Sequence, residues 1–153
     1  MKPLANCKNT ETGNRICRAE EGKSIYFENN QYELVCDIIP IEKCVLTKAE
    51  DGRRCDFLFL FDKTKQLYKL LKNNQSSAYY VELKGIDLED ACEQLLNSID
   101  KTMEQIGDFD LNALVVSSRE FNPSYDNNEF YRNVKRLIKK DIQFEVISHT
   151  ITI

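Results

Sequence analysis

Apolar residues along this chain fall into runs and stripes that separate strands from helices. Residues 55–61 are apolar at every position except Asp56. A strand apolar on both faces is buried on both, so this run predicts a central strand covered by helices. Residues 79–84, Tyr-Tyr-Val-Glu-Leu-Lys, predict a second strand that Gly85 ends. Residues 24–28 and 32–41 are rich in β-branched and aromatic side chains and predict two more, with a turn at Asn29-Asn30. Pro40 marks a strand end or an edge, and residues 44–47 are read as continuing the sheet. Asp51-Gly52 reads as a hairpin turn, because glycine accepts the positive φ of tight turns.

The helical period is clearest where Leu88, Ala91, Cys92, Leu95, Leu96, Ile99, Met103 and Ile106 recur at spacings of three and four. Asp87 is the expected N-cap, Glu89 and Asp90 suit the positive end of the helix dipole, and Gly107 stands where a C-terminal cap belongs. Residues 111–116 predict a strand. Residues 129–140 predict a second helix with Phe130, Val134, Leu137 and Ile138 as its buried stripe. Residues 144–151 predict a last strand with Phe144, Val146 and Ser148 facing inward. Residues 62–78 are mostly polar and hold either one short helix or a mobile insertion. Residues 1–23 read as an irregular arm or a loosely packed first element. The order of strands and helices predicts an α/β fold, a mixed central β-sheet flanked by helices, in a single domain over residues 1–153.

The 153 residues are 42% apolar and 30% charged, an ordinary globular composition. No apolar run approaches the ~20 residues that span a membrane. The first residues lack the apolar stretch of a signal peptide, so no membrane association and a cytoplasmic location are the expectation. The six cysteines are accordingly expected as thiols. Cys36, Cys44, Cys55 and Cys92 read as small core residues. Cys7 and Cys17, ten apart, do not make a C-x-x-C zinc knuckle. A net charge of −4 weighs against a nucleic-acid partner, but charge is unevenly spread. Residues 131–140 hold Arg132, Lys135, Arg136, Lys139 and Lys140 and no acid. That segment is either a solvated helix face or a nucleic-acid-binding surface that meets phosphates.

Candidate chemistry centres on the strand over residues 79–84. Side chains alternate across a strand, so Tyr79, Val81 and Leu83 share one face while Glu82 and Lys84 share the other. A carboxylate and an ammonium then stand together near a strand's C-terminal end, where open α/β sheets gather their sites. Asp56 begins the other apolar strand and comes close to Glu82 if the two strands pair. Two adjacent carboxylates repel unless a cation lies between them. Mg²⁺, a hard cation that takes carboxylate oxygens, water and substrate phosphate, is the natural partner, with Mn²⁺ as substitute. Such a site activates water and stabilises charge on a phosphodiester, and Lys84 could orient or deprotonate that water. Glu-x-Lys occurs a second time as Glu21-Gly22-Lys23, without an apolar strand before it. The plain alternative is a surface ion pair of Glu82 with Lys84, with Asp56 as a turn residue.

The segments Arg54-Cys55-Asp56-Phe57-Leu58-Phe59, Tyr80-Val81-Glu82-Leu83-Lys84-Gly85 and Asp90-Ala91-Cys92-Glu93-Gln94-Leu95 resemble the PD-(D/E)XK nuclease superfamily over roughly residues 42–118. The resemblance implies a restriction-endonuclease-like core with Asp56 and Glu82 as metal ligands and Lys84 as catalytic lysine. Gln94 would be a supporting glutamine on the following helix. Cys55 stands where that family often has proline, and the acid many members carry on a first helix has no clear counterpart, Glu28 or Glu42 being the nearest choices. The implied activity is Mg²⁺-dependent hydrolysis of nucleic acid, DNA favoured over RNA, in phage defence, mobile-element biology or repair. A protein partner or a homodimer suits so short a chain. The alternative is a catalytically silent relative that binds a protein or nucleic acid through the same fold. The lone histidine, His149, disfavours Ser–His or Cys–His nucleophilic chemistry, and the chain has no glycine-rich phosphate loop.

Overall fold

The computed structural model describes residues 1–69, 71, 74–83, 87–117 and 128–153, without the side chains of residues 128–131. Among the described residues nine strands form two sheets. The larger has six strands in the order β1-β4-β5-β6-β7-β8: β1 (Asn9–Gly13), β4 (Leu34–Pro40), β5 (Phe57–Phe61), β6 (Ser77–Glu82), β7 (Asp110–Val116) and β8 (Gln143–Ile147). The smaller has three, in the order β2-β3-β9: β2 (Arg15–Glu20), β3 (Lys23–Glu28) and β9 (Thr150–Thr152). The large sheet is mixed. β1, β4, β5 and β6 pair antiparallel, whereas β6, β7 and β8 run parallel. The parallel strands are joined through α1 (Leu88–Thr102) and α2 (Asn128–Lys139).

Because β6, β7 and β8 are successive neighbours and parallel crossovers share one hand, both helices belong on the same face. α1 and α2 do touch each other. The other face therefore needs a different cover, and the small sheet supplies it. This corrects the expectation of helices on both faces. Phe57, Phe59, Phe61, Val81 and Leu83 of the large sheet pack with Ile16, Ile25 and Phe27 of the small one. On the helix face Leu58, Ala78, Tyr80, Ala113 and Val115 pack with Ala91, Leu95, Leu96 and Ile99 of α1 and Leu137 of α2. The predicted alternation holds along β6, with Ala78 and Tyr80 on the helix face and Tyr79 and Val81 on the other, and Leu83 just past its end joins the latter.

Several local expectations change. Residues 1–23 hold a short 3-10 turn and the strands β1 and β2. Ile41–Val45 forms a π-helical turn in place of a continued strand. The segment over residues 144–151 splits, so that β8 edges the large sheet and β9 pairs in parallel with β3; Ser148 is exposed. Ile138 is also exposed, because Asn133 and Leu137 set the buried side of α2, and Phe130 lies outside the described side chains. Asp87 caps α1 as expected, its carboxylate accepting the Asp90 N–H at 3.2 Å. Cys7 and Cys44 form a disulfide with Cα atoms 5.9 Å apart, so Cys44 is not the core thiol expected. Cys36, Cys55 and Cys92 are buried and free. Among the described residues no helix is long and apolar enough to cross a membrane.

Candidate functional site

In the antiparallel β5–β6 pair Phe57 lies opposite Val81. Asp56 immediately precedes β5 and Glu82 is the last residue of β6, so both stand at the same end of this antiparallel pair. Asp56 is fixed at three points. Its N–H donates to the Val81 carbonyl (3.1 Å), its own carbonyl accepts the Ile41 N–H (2.9 Å), and its Oδ2 accepts the Leu83 N–H (2.8 Å). The last bond orients the carboxylate where β6 ends. Both acids are nearly enclosed, Asp56 at 5% exposure and Glu82 at 1%.

A chain of buried hydroxyls supports this corner from behind. The Cys55 N–H donates to Ser98 Oγ (2.8 Å), and the Ser98 hydroxyl donates to the Gln94 carbonyl. The Thr102 hydroxyl donates to the Ser98 carbonyl, and Tyr80 Oη lies 2.7 Å from Thr102 Oγ1. Ser98 and Thr102 are fully buried, so each bond satisfies a group that water cannot reach. α1 is thereby tied to the residue before Asp56. Gln94, half-buried, stands one turn before Ser98 and so on the flank of α1 that meets Cys55.

The charges of both acids reach this corner. Burial pushes the Cys55 thiol well above its ordinary range, and the negative charges of Glu82 and Asp56 raise it further against the lowering effect of the Ser98 hydrogen bond. Lys43, in the π-turn, is held above its ordinary pKa chiefly by Glu20, 2.5 Å away, with a smaller contribution from Asp56. On the rim Arg53 pairs with Asp90 and with Glu93 of α1.

Of the residues expected at the site, Asp56 lies just before β5 and Glu82 at the end of β6, both buried, Gln94 is half-buried on α1, and Lys84 lies outside the described residues. Arg132, Lys135, Arg136, Lys139 and Lys140 are exposed on α2 or just after it. Lys140 is engaged with Asp100 of α1 at 2.8 Å, and Arg136 and Lys139 fall in the last turn, away from the strand ends that carry Glu82. Among the described residues no three His, Cys, Asp or Glu side chains gather as a metal cluster, so the candidate rests on two carboxylates. His149 is exposed beside Thr150 and edge-on to Tyr26, far in the chain from Asp56. Ser98 and Thr102 are missed by a search for titratable groups. Their signal is two hydroxyl residues four apart on the otherwise apolar stripe of α1. No family model matches the chain, and neither a curated protein nor a solved structure matches it.

Proposed function

We propose that this chain is a Mg²⁺-dependent nuclease of the PD-(D/E)XK type, with Asp56 and Glu82 as metal ligands. The observation that supports it is the placement of two buried carboxylates at one end of the β5–β6 pair, Asp56 just before β5 and Glu82 at the end of β6, with Asp56 oriented by the Leu83 N–H. Buried like charges side by side are costly without positive charge beside them. The donor set fits Mg²⁺, which commonly binds through one or two carboxylates and keeps several waters. Bound there, the ion would lower the pKa of a water and offset charge on a phosphodiester. Asp56 and Glu82 hold the site, and the Ser98–Cys55 bond keeps Asp56 in place. The resemblance makes Lys84 the catalytic lysine, which would orient or deprotonate the attacking water, and Gln94 a glutamine that supports the site. The near-complete enclosure of both acids favours a second reading, a silent relative that binds through the same fold.

A cleavage screen decides between them. Single- and double-stranded DNA and RNA are incubated with Mg²⁺ or Mn²⁺ and with wild type, Asp56→Ala, Glu82→Ala or Lys84→Ala. The nuclease reading expects metal-dependent cleavage that falls about 10²-fold or more in each variant. Equal cleavage by all four proteins, or none by any, removes it.

A further inference from the structure

Among the described residues five large apolar side chains are exposed, and three of them, Tyr32, Leu67 and Tyr68, belong to neighbouring loops. Tyr32 precedes β4 and Tyr68 follows β5. These strands are antiparallel neighbours, so both loops leave the same end of the large sheet. That end is opposite to Asp56, about 17 Å away by the length of β5. The rings lie 4.4 Å apart at 32°, with Tyr32 at 38% exposure and Tyr68 at 56%.

Both loops are pinned. Asn29 Oδ1 accepts the N–H groups of Gln31 and Tyr32, each at 2.9 Å. The Gln66 side chain accepts the Val35 N–H (3.0 Å) and donates to the Val35 carbonyl (2.8 Å), joining the loop of Tyr68 to the start of β4. The same loop carries Lys63, Lys65 and Lys69. Lys65 is committed to Asp37 at 2.6 Å, and Asp62 accepts from Thr64. Lys63 and Lys69 are exposed and pair with no acid among the described residues. An exposed aromatic pair, with two exposed lysines on the loop that carries Tyr68, matches the chemistry of an unpaired nucleotide strand. Its bases offer flat faces for stacking and its phosphates meet lysine. A duplex keeps those faces covered.

We infer that Tyr32 and Tyr68, with Lys63 and Lys69, form a docking surface for single-stranded nucleic acid. The inference rests on the nuclease reading and names the strand state of its substrate. The test is fluorescence anisotropy of labelled oligothymidylate, oligouridylate and a DNA duplex in chelator, where no cleavage occurs. Wild type should bind a single strand more tightly than the duplex, and the two single strands tell DNA from RNA. The double variant Tyr32→Ala/Tyr68→Ala should lose about tenfold in affinity while keeping its melting temperature, since both rings are exposed. Lys63→Ala/Lys69→Ala should make the log–log salt slope shallower by about 1.4. Glu33, exposed beside Tyr32, opposes phosphate, so Glu33→Gln should tighten binding. No single-strand binding by wild type, or binding that the tyrosine pair leaves unchanged, overturns the inference. A dimer in sedimentation that the tyrosine variant disperses, without change in oligonucleotide binding, also overturns it in favour of self-association. If Tyr-dependent binding stands while the cleavage screen is empty, only the nuclease reading falls.

Discussion

The two faces of the large sheet are built from the same strands and do different work. The face under the small sheet is aromatic and dry. Phe27 sits 4.7 Å from Phe59 and 5.1 Å from both Phe61 and Tyr79, centroid to centroid. The face under the helices buries Ser98, Thr102 and the Tyr80 hydroxyl, and Asp56 and Glu82 are buried at the end of the β5–β6 pair. Apolar packing needs no partner atoms and carries most of the folding energy. Polar burial is tolerated only where hydrogen bonds are specific. The contrast teaches that the site gains its fixed geometry from the layer opposite: Phe57 and Val81 anchor the strands whose next residues are Asp56 and Glu82.

The difference can be broken or sharpened by measurement. The largest effect should come from the dry face, where Phe59→Ala removes a fully buried ring and should cost about 3–5 kcal/mol in urea unfolding. Reducing the Cys7–Cys44 bridge on the helix side, across a sequence separation of 37, should cost up to about 4 kcal/mol by loop-closure entropy. Melts with and without dithiothreitol, set against Cys7→Ser/Cys44→Ser, measure it, and that double variant should be indifferent to reductant. Next, Ser98→Ala strands the buried Cys55 N–H and should cost about 1–3 kcal/mol, with Ser98→Thr restoring part of the loss. If Ser98→Ala costs more than Phe59→Ala, the division between faces fails.

A smaller effect appears in alkali. Burial raises the thiols of Cys36, Cys55 and Cys92, the last to about 12. Folded thiols therefore stay protonated where unfolded ones ionise. Their contribution is full below the unfolded pKa of about 8.5 and is lost as pH rises above it, by about 1.4 kcal/mol per unit for each thiol. Urea midpoints should fall from about pH 8.5 upward, and a flat profile would contradict buried free thiols. The smallest change is expected for Glu82→Gln without metal, which removes repulsion with Asp56 and should leave stability equal to wild type or higher. Adding Mg²⁺ should raise the melting temperature of wild type and much less that of the variant. A destabilised variant with no metal response in wild type would return Glu82 to a plain ion pair.

Much of this was legible in local pattern. Alternation along residues 79–83 and the spacing of Leu95, Leu96 and Ile99 place side chains by geometry alone, so β6, α1 and the cap at Asp87 follow from sequence. The pairing of β5 with β6, which brings Asp56 and Glu82 to one end of the sheet, was legible in the apolar character of the two strands. What escaped depended on distant partners. β1 is polar and finds its place only as an edge beside β4. β9 is three residues long and exists because β3 receives it. Cys7 reveals itself as a half-bridge only when the π-turn brings Cys44 beside it. Ser98 looked like a break in an apolar stripe, although it holds the residue before Asp56.

Residues 143–153 put one strand into each layer, β8 at the edge of one sheet and β9 at the edge of the other. The Asn29 side chain closes on the Ile153 carbonyl at 2.7 Å across a sequence separation of 124. Neither layer is whole until this segment docks, and nothing near it in sequence can stand in for β3. Contacts of such long range slow the conformational search, because the loop between them must be closed before they repay it. Docking of β9 is therefore expected late on the folding path, and until then β3 would present an open edge on which another chain's strand can settle.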